Sequence, residues 1–424
     1  TSGNVTITAA NTAPSVTTPT ITPTTVYTNT TLTTNTTYTD TESDAGTVYF
    51  LWYRNGTNIY NQTNSSIATG TEVIATLDSA NFSKDDLINV SVYANDGTVD
   101  SSTVWSTVTT IQNLQPEISN TILNATNVNN DTNQNLTLNW DISDTDSDSV
   151  KNITNWYLND SSITVLNMPF EDNNNTNSGT KDYSGYGNDG TEAGSIVWNA
   201  TGGYDSKGVY DFDGVNDYIN INTAATTINN IGNDVTIGYW VKSTDDTPQI
   251  PFSLTEGATS NNYIYPGMGD GWTGGLTDEL FCLNRASGGV STYVLCYTTA
   301  DRTELFDGNW HFITYSWDGS SVKFYLDGNS KTVSVGTGSN NGLFGGLSGI
   351  DTSYIGARRT SGSDSSFTDG TIDDFVIFNR TLSAEQILAL YNNRTDLIVS
   401  QETSVGDIWT ATITPNDGTE DGTT

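Results

Sequence analysis

The stretch DTESDAGTVYFLWYRNGT at residues 40–57 returns as DTDSDSVKNITNWYLNDS at residues 144–161, an ungapped match at an offset of 104. In each copy alternating carboxylates (Asp40, Glu42, Asp44; Asp144, Asp146, Asp148) precede a strand bearing a Trp–Tyr pair, Trp52–Tyr53 or Trp156–Tyr157. A turn follows, at Asn55 and at Asn159. Period-two patterning of this kind is the signature of a strand. A second match runs at another offset: Asp86 and Asn95-Asp96-Gly97 recur as Asp407 and Asn416-Asp417-Gly418, 321 residues on. Both NDG elements close an alternating strand (INVSVYA, WTATITP), which is a turn signal. The jump from 104 to 321 means that about 217 residues are inserted into the second copy.

An all-β architecture follows. Residues 14–113 form a first sandwich whose length, roughly seven strands and central Trp suit an immunoglobulin-like fold without its disulfide. The second immunoglobulin-like sandwich is split into 114–165 and 397–424, and residues 166–396 are a separate domain placed at a loop tip, where insertion is tolerated. Composition agrees, since Thr, Asn, Ser, Asp and Gly dominate and favour short strands joined by polar turns.

With 14 basic against 49 acidic residues the chain carries a net charge of −35. Such a surface repels phosphate backbones and anionic lipid, so neither nucleic acid nor a membrane surface is expected as partner. No apolar run reaches the ~20 residues of a membrane helix, and no signal segment opens the chain. The expected location is extracellular or on the cell surface. Sequons agree, at Asn4, Asn29, Asn35, Asn55, Asn61, Asn64, Asn81, Asn89, Asn124, Asn130, Asn135, Asn152, Asn159, Asn174, Asn199, Asn379 and Asn393. None starts between Asn199 and Asn379, which again marks the insert as a different domain; chance in an Asn- and Thr-rich chain accounts for some. The two cysteines, Cys282 and Cys296, sit in strand-like segments (LFCLN, YVLCY) joined by ASGGVST, and a cross-strand disulfide is expected in a reading as a hairpin.

The insert carries, in order, NMPFED, KDYSGYGNDGT, GVYDFDGVNDYININ, VTIGYWVKS, DGNWHFITYSWDGSSVKFYLDG, YIGARR and TIDDFVIFNRTLSAEQILALYNN. This series resembles the laminin-G-like, concanavalin-A-type jelly roll, and its setting resembles modular cell-surface proteins of archaeal style. SAEQILALYNN is the one convincing helix, with Ser383 as N-cap. The resemblance implies carbohydrate or protein binding and a structural Ca²⁺. The matching oxygen ligands are Asp182, Asn188, Asp213, Asp217, Asp373 and Asp374, with turn-forming Asp residues as the plain alternative. For glycan contact the candidates are Trp272 in a Gly-rich loop and the nearby Tyr263 and Tyr265; Arg358 and Arg359, a rare basic pair, suit a carboxylate of a partner. No enzyme is expected. The single histidine, His311, has no nucleophile elbow beside it, and Glu279 and Glu304 lack the carboxyl partners of glycoside hydrolysis.

The ends complete the reading. Nineteen residues, Thr98 to Pro116, follow the first NDG and supply a last strand, whereas six, Thr419 to Thr424, follow the second. The N-terminal segment 1–13, with Val5, Ile7 and Ala9 on one face, has the length of the missing strand. Two arrangements fill the gap, a longer covalent array of which this is one period or head-to-tail strand donation between copies, and a structural subunit or repeat of an extracellular filament or surface layer is the first expectation. A lectin-like adhesin whose jelly roll binds glycan is the alternative.

Overall fold

The computed structural model describes residues 10–126, 131–171, 180–259, 261–272 and 276–423. The chain divides into two compact units, residues 1–115 with 144–148, and residues 116–143 with 149–424. Both are built from β-strands, with two short α-helices, Asn222–Asn229 and Ala384–Tyr391, in the second.

In the first unit the strand Gly46–Arg54 alternates strictly, burying Val48, Phe50 and Trp52. It lies between Leu87–Asn95 and Thr57–Ile67 in one sheet. A second sheet, centred on Leu32–Thr39 with Thr71–Leu77 beside it, turns Leu32, Tyr38, Val73, Ala75 and Leu77 toward the same core. Each of these large side chains contributes about 1.5–3 kcal/mol by leaving water. Gly46 is required by packing: a Cβ there would meet the Tyr38 ring at 2.4 Å. Leu87–Asn95 is flanked on its other side by Val104–Trp105 and Thr109–Gln112, which close the sheet.

The second unit contains the second copy of this pattern. Lys151–Leu158 pairs with Trp409–Asn416, and Leu136–Ser143 pairs with Glu117–Ala125 and Leu397–Ile398. Trp156 is buried and its Nε1 donates to the Thr395 carbonyl at 2.8 Å.

Between these strands stand two eight-stranded antiparallel sheets. One centres on Asp369–Phe378, with Asp234–Lys242 and His311–Asp318 beside it; the other runs through Thr352–Ile355, Phe252–Thr255, Tyr263–Met268, Glu279–Ser287 and Val290–Thr298. The strand Thr164–Met168 already pairs with Asp369–Phe378, so the jelly roll takes up chain from residue 164. Fully buried rings of Tyr239, Phe281, Tyr293, Tyr315, Trp317 and Phe324 fill the space between the sheets. The helix Ala384–Tyr391 begins at Ser383, whose side chain accepts from the Gln386 amide. The helix Asn222–Asn229 was not foreseen: NTAATTIN is rich in β-branched residues and has no capping side chain.

Candidate functional site

The jelly roll's second sheet turns every other residue away from the core. Register puts Tyr354 beside Asn220 and Ser253, and Tyr265 beside Asn284, which in turn faces Val294. One strand row along, Cys282 opposes Gly267 and Cys296, and Cys282 and Cys296 are joined in a disulfide. Trp272 lies over this spot. A Cβ on Gly267 would meet its ring at 2.5 Å, and it packs on the cysteines with Leu276 and Val294. Its Nε1 donates to the Met268 carbonyl at 2.9 Å, fixing the ring.

Aromatic residues continue from there. Tyr265 is 6.1 Å from Trp272 and stacks on Tyr263 at 4.6 Å between centroids. Tyr263 and Trp272 are part-exposed, whereas Tyr265 is buried between them. Burial pushes the Tyr265 phenol up, so it stays neutral. A short hairpin, Arg358–Thr360 with Ser363–Ser365, stands beside this row. Arg358 lies over the Tyr265 ring, 5.1 Å from its centroid, and donates from Nη1 to the Tyr265 hydroxyl at 2.9 Å. Arg359 bonds Asp364 at 2.8 Å. Tyr218 and Tyr354 stack at 4.3 Å further along the sheet, and burial pushes the Tyr354 phenol up to about 12. These last two tyrosines were missed in the sequence, because only strand register reveals that they share a face.

Glu279 is the one acid on its strand, Glu279–Ser287. Asp270, nine residues earlier on the Trp272 loop, accepts from the Glu279 amide at 3.3 Å. Burial raises the Glu279 carboxyl, while Asp270 beside it is lowered, first by its contact with Glu279. Glu279 Oε2 also accepts from the Gly271 amide at 2.9 Å, which braces the Trp272 loop. Hydrolysis of a glycosidic bond instead needs carboxyls about 5–9.5 Å apart across the sugar. Glu304 is taken up by Lys331 and by the Tyr297 hydroxyl. His311 is held between Asp327 (Nδ1, 2.9 Å) and Asp307 (Nε2, 3.1 Å), so both ring nitrogens are occupied.

The six residues proposed for Ca²⁺ are placed as three separate pairs. Asp182 accepts from the amides of Asn167, Ser184 and Asn188 and from the Ser184 hydroxyl, while the Asn188 side chain donates to the Val165 carbonyl. Asp217 accepts from the amides of Ser195 and Asp213, and Asp213 from those of Val215 and Asn216. Asp373 accepts from the amides of Tyr204 and Asp374. Asp374 belongs instead to a buried acid centre with Glu171 and Asp205, which the sequence reading overlooked. Its cation is Lys151, 2.6 Å from Asp205 and 3.2 Å from both Asp374 and Glu171, 5.2 Å above the Tyr204 ring. Burial raises Glu171 to about 7 and raises Asp373 and Asp374. Burial pulls Lys151 down, but its acidic neighbours outweigh that and hold it charged.

Val5, Ile7 and Ala9, and the sequons at Asn4, Asn130 and Asn174, lie outside the described residues. The other sequon asparagines are all at least partly exposed. No helix among the described residues is long and apolar enough to cross a membrane.

Residues 213–388 match the family model of the concanavalin A-like lectin/glucanases superfamily, so the inserted jelly roll is a concanavalin A-like domain. No curated protein matches the chain. Among solved structures, one likeness is domain 4 of AbnA, an extracellular arabinanase from Geobacillus stearothermophilus, in complex with arabinotriose. It is 20% identical and covers 54% of this chain and 98% of that one, with a TM-score of 0.38. Another is the CBM40 of the Ruminococcus gnavus IT-sialidase, 13% identical over 47% of this chain and 97% of that one, with a TM-score of 0.35.

Proposed function

We propose that the chain is an extracellular, lectin-like module whose jelly roll binds glycan on the outward face of its second sheet. The observation that carries this is the tract Trp272–Tyr265–Tyr263: two part-exposed rings joined by a buried third, on a sheet face, inside a domain matching a lectin/glucanase family. Sugar C–H faces pack on such rings, and their fixed orientation keeps the ordering cost low. Glu279 braces the loop that presents Trp272 by accepting from the Gly271 amide. A disulfide between adjacent strands accords with an oxidising, extracellular setting. A glycan array with the full chain tests the reading. Trp272→Ala is expected to weaken every hit about tenfold or more and, because the ring packs on the disulfide, to lower the melting temperature by a few degrees without unfolding the chain, and hits that survive Trp272→Ala and Tyr263→Ala unchanged refute it.

A second reading, head-to-tail assembly, is favoured by one difference between the copies. Leu87–Asn95 has strands on both sides, whereas its counterpart Trp409–Asn416 has only Lys151–Leu158 beside it among the described residues. A strand from another copy laid along that edge extends its ladder. Sedimentation of the chain with and without residues 1–13 decides this: loss of polymers on deletion supports it, and monomers in both samples refute it.

A further inference from the structure

Ten of the 14 basic side chains in this acidic chain reach a carboxylate. Of the other four, Lys207 bonds the Ser149 hydroxyl, Lys242 is exposed at a strand end, and Arg285 is buried with its nitrogens on two carbonyls and the Thr292 hydroxyl. Arg358 is different. It is half-buried on an aromatic ring, its Nη1 is oriented by the Tyr265 hydroxyl, and Nε reaches Ser365 Oγ at 3.4 Å. Nη2 and the second hydrogen of Nη1 meet no acceptor among the described residues. The carboxylate of the same hairpin, Asp364, is engaged by Arg359. Beside Tyr265 in the same row, Asn284 is 95% buried, and its Nδ2 meets no acceptor among the described residues. A pre-oriented guanidinium edge and an orphaned amide donor thus border the aromatic tract. Both offer hydrogens only, and leaving such groups unmet is costly.

We propose, resting on the glycan-binding reading above, that this face selects sugars bearing a carboxylate, with Arg358 as the specificity-determining residue. The two outer guanidinium nitrogens present the fork that matches carboxylate geometry, and the stacking on Tyr265 holds the fork in place without an internal counter-ion. The field of a chain with net charge −35 repels acidic sugars in general, so a preference for them arises only from a local site.

The test uses the full chain and two matched probe pairs: a glucuronate-terminated disaccharide with its carboxyl-reduced counterpart, and sialyllactose with lactose. Titration calorimetry is expected to show at least tenfold tighter binding of the acidic member in one pair, and that pair identifies the carboxylate as uronic or sialic. Arg358→Gln should bring acidic and neutral members within about twofold of each other while neutral binding persists. Arg358→Lys, which keeps charge but loses the fork, should recover only part of the preference. Equal binding of acidic and neutral members by the unaltered chain, or a preference that survives Arg358→Gln, overturns the proposal and leaves the aromatic tract standing. No binding of any probe by the unaltered chain refutes the tract itself and this inference with it. Melting curves of both Arg358 variants confirm that the loss is not unfolding.

Discussion

Replacing Lys151 by Met keeps most of its volume and removes the one cation from the centre formed by Glu171, Asp205 and Asp374. The ammonium is 10% exposed and Glu171 2%, so solvent cannot take its place. Breaking a buried ion pair by deleting one partner costs about 3–5 kcal/mol. At about 2–4 °C per kcal/mol for a unit of this size, the melting temperature at pH 7.5 should fall by roughly 10 °C. The pH dependence is the sharper part. Glu171 is raised from 4.5 to about 7 in the folded protein, and burial is the main cause. A carboxyl raised on folding favours the native state below its unfolded value, and that advantage is lost as pH climbs through the folded one. The shift corresponds to about 3 kcal/mol lost between pH 4.5 and 7. Lys151 holds Glu171 down, so Lys151→Met pushes this window higher and leaves the variant worst off near pH 7.5. At pH 5 Glu171 holds its proton, and the deficit against the unaltered protein should shrink to about 1–2 kcal/mol. Urea unfolding at both pH values measures this. Adding Glu171→Gln, Asp205→Asn and Asp374→Asn to Lys151→Met should recover most of the loss, because none of the three partners of the ammonium is then left as an unpaired charge. A deficit of equal size at pH 5 and 7.5, or no deficit at 7.5, refutes the account.

Two further outcomes follow from the carboxylates elsewhere. His311 is raised above 6.5, first by its bond to Asp327, so its stabilisation is full below pH 6.5 and is lost as pH rises through the folded value. His311→Gln should cost about 1–2 kcal/mol at pH 6 and much less at pH 8.5, and a cost independent of pH contradicts it. Asp182 satisfies three backbone amides and a hydroxyl, so Asp182→Ala should cost about 3 kcal/mol or more in chelator and in millimolar Ca²⁺ alike; a penalty that appears only with Ca²⁺ contradicts the assignment.

The repeat was legible in the sequence because it is written in groups that make the same bonds twice. The Asp44 amide donates to Asp40, and the Asp148 amide to Asp144. Asn55 donates to the Leu87 carbonyl and Asn159 to that of Ile408, each at 2.9 Å. Both NDG turns close through the same side chains, with Asn95 reaching Asp100 and Asn416 reaching Asp421. Local chemistry of this kind survives in residue order. What failed to show was chemistry assembled across strands. Asp373 and Asp374 stand out as an acidic pair, but nothing in TIDDFVIF tells that one accepts two amides while the other meets an ammonium 223 residues away. Glu279 is alone on its strand, and Asp270 reaches its amide from a loop. Trp272 and Tyr265 were picked for being aromatic near glycines, yet their common face depends on a register that pairs Tyr265 with Asn284.

One signal for the acid centre did lie in the repeat. At the offset of 104, Lys151 stands where the first copy has Thr47, and a basic residue is rare in this chain. The first copy has no use for a lysine, since its core of Val48, Phe50, Trp52 and their partners is complete within its own strands. The second copy's core is not: Trp156, Leu138, Ile398 and Ile413 pack with Tyr325, Phe378, Leu382 and Ile387 of the inserted segment. Split across 217 intervening residues, the second sandwich is therefore finished by the domain inserted into it. The exchange of Thr47 for Lys151 adds an ionic tie to that apolar seam, joining a sandwich strand to Glu171, Asp205 and Asp374 of the insert. An insert held this way cannot swivel freely on its two connections, so the aromatic face with Arg358 keeps a fixed orientation relative to the sandwich that bears it. Ionic and apolar groups thus act on one interface, and removing Lys151 should loosen the presentation of the jelly roll as well as its stability.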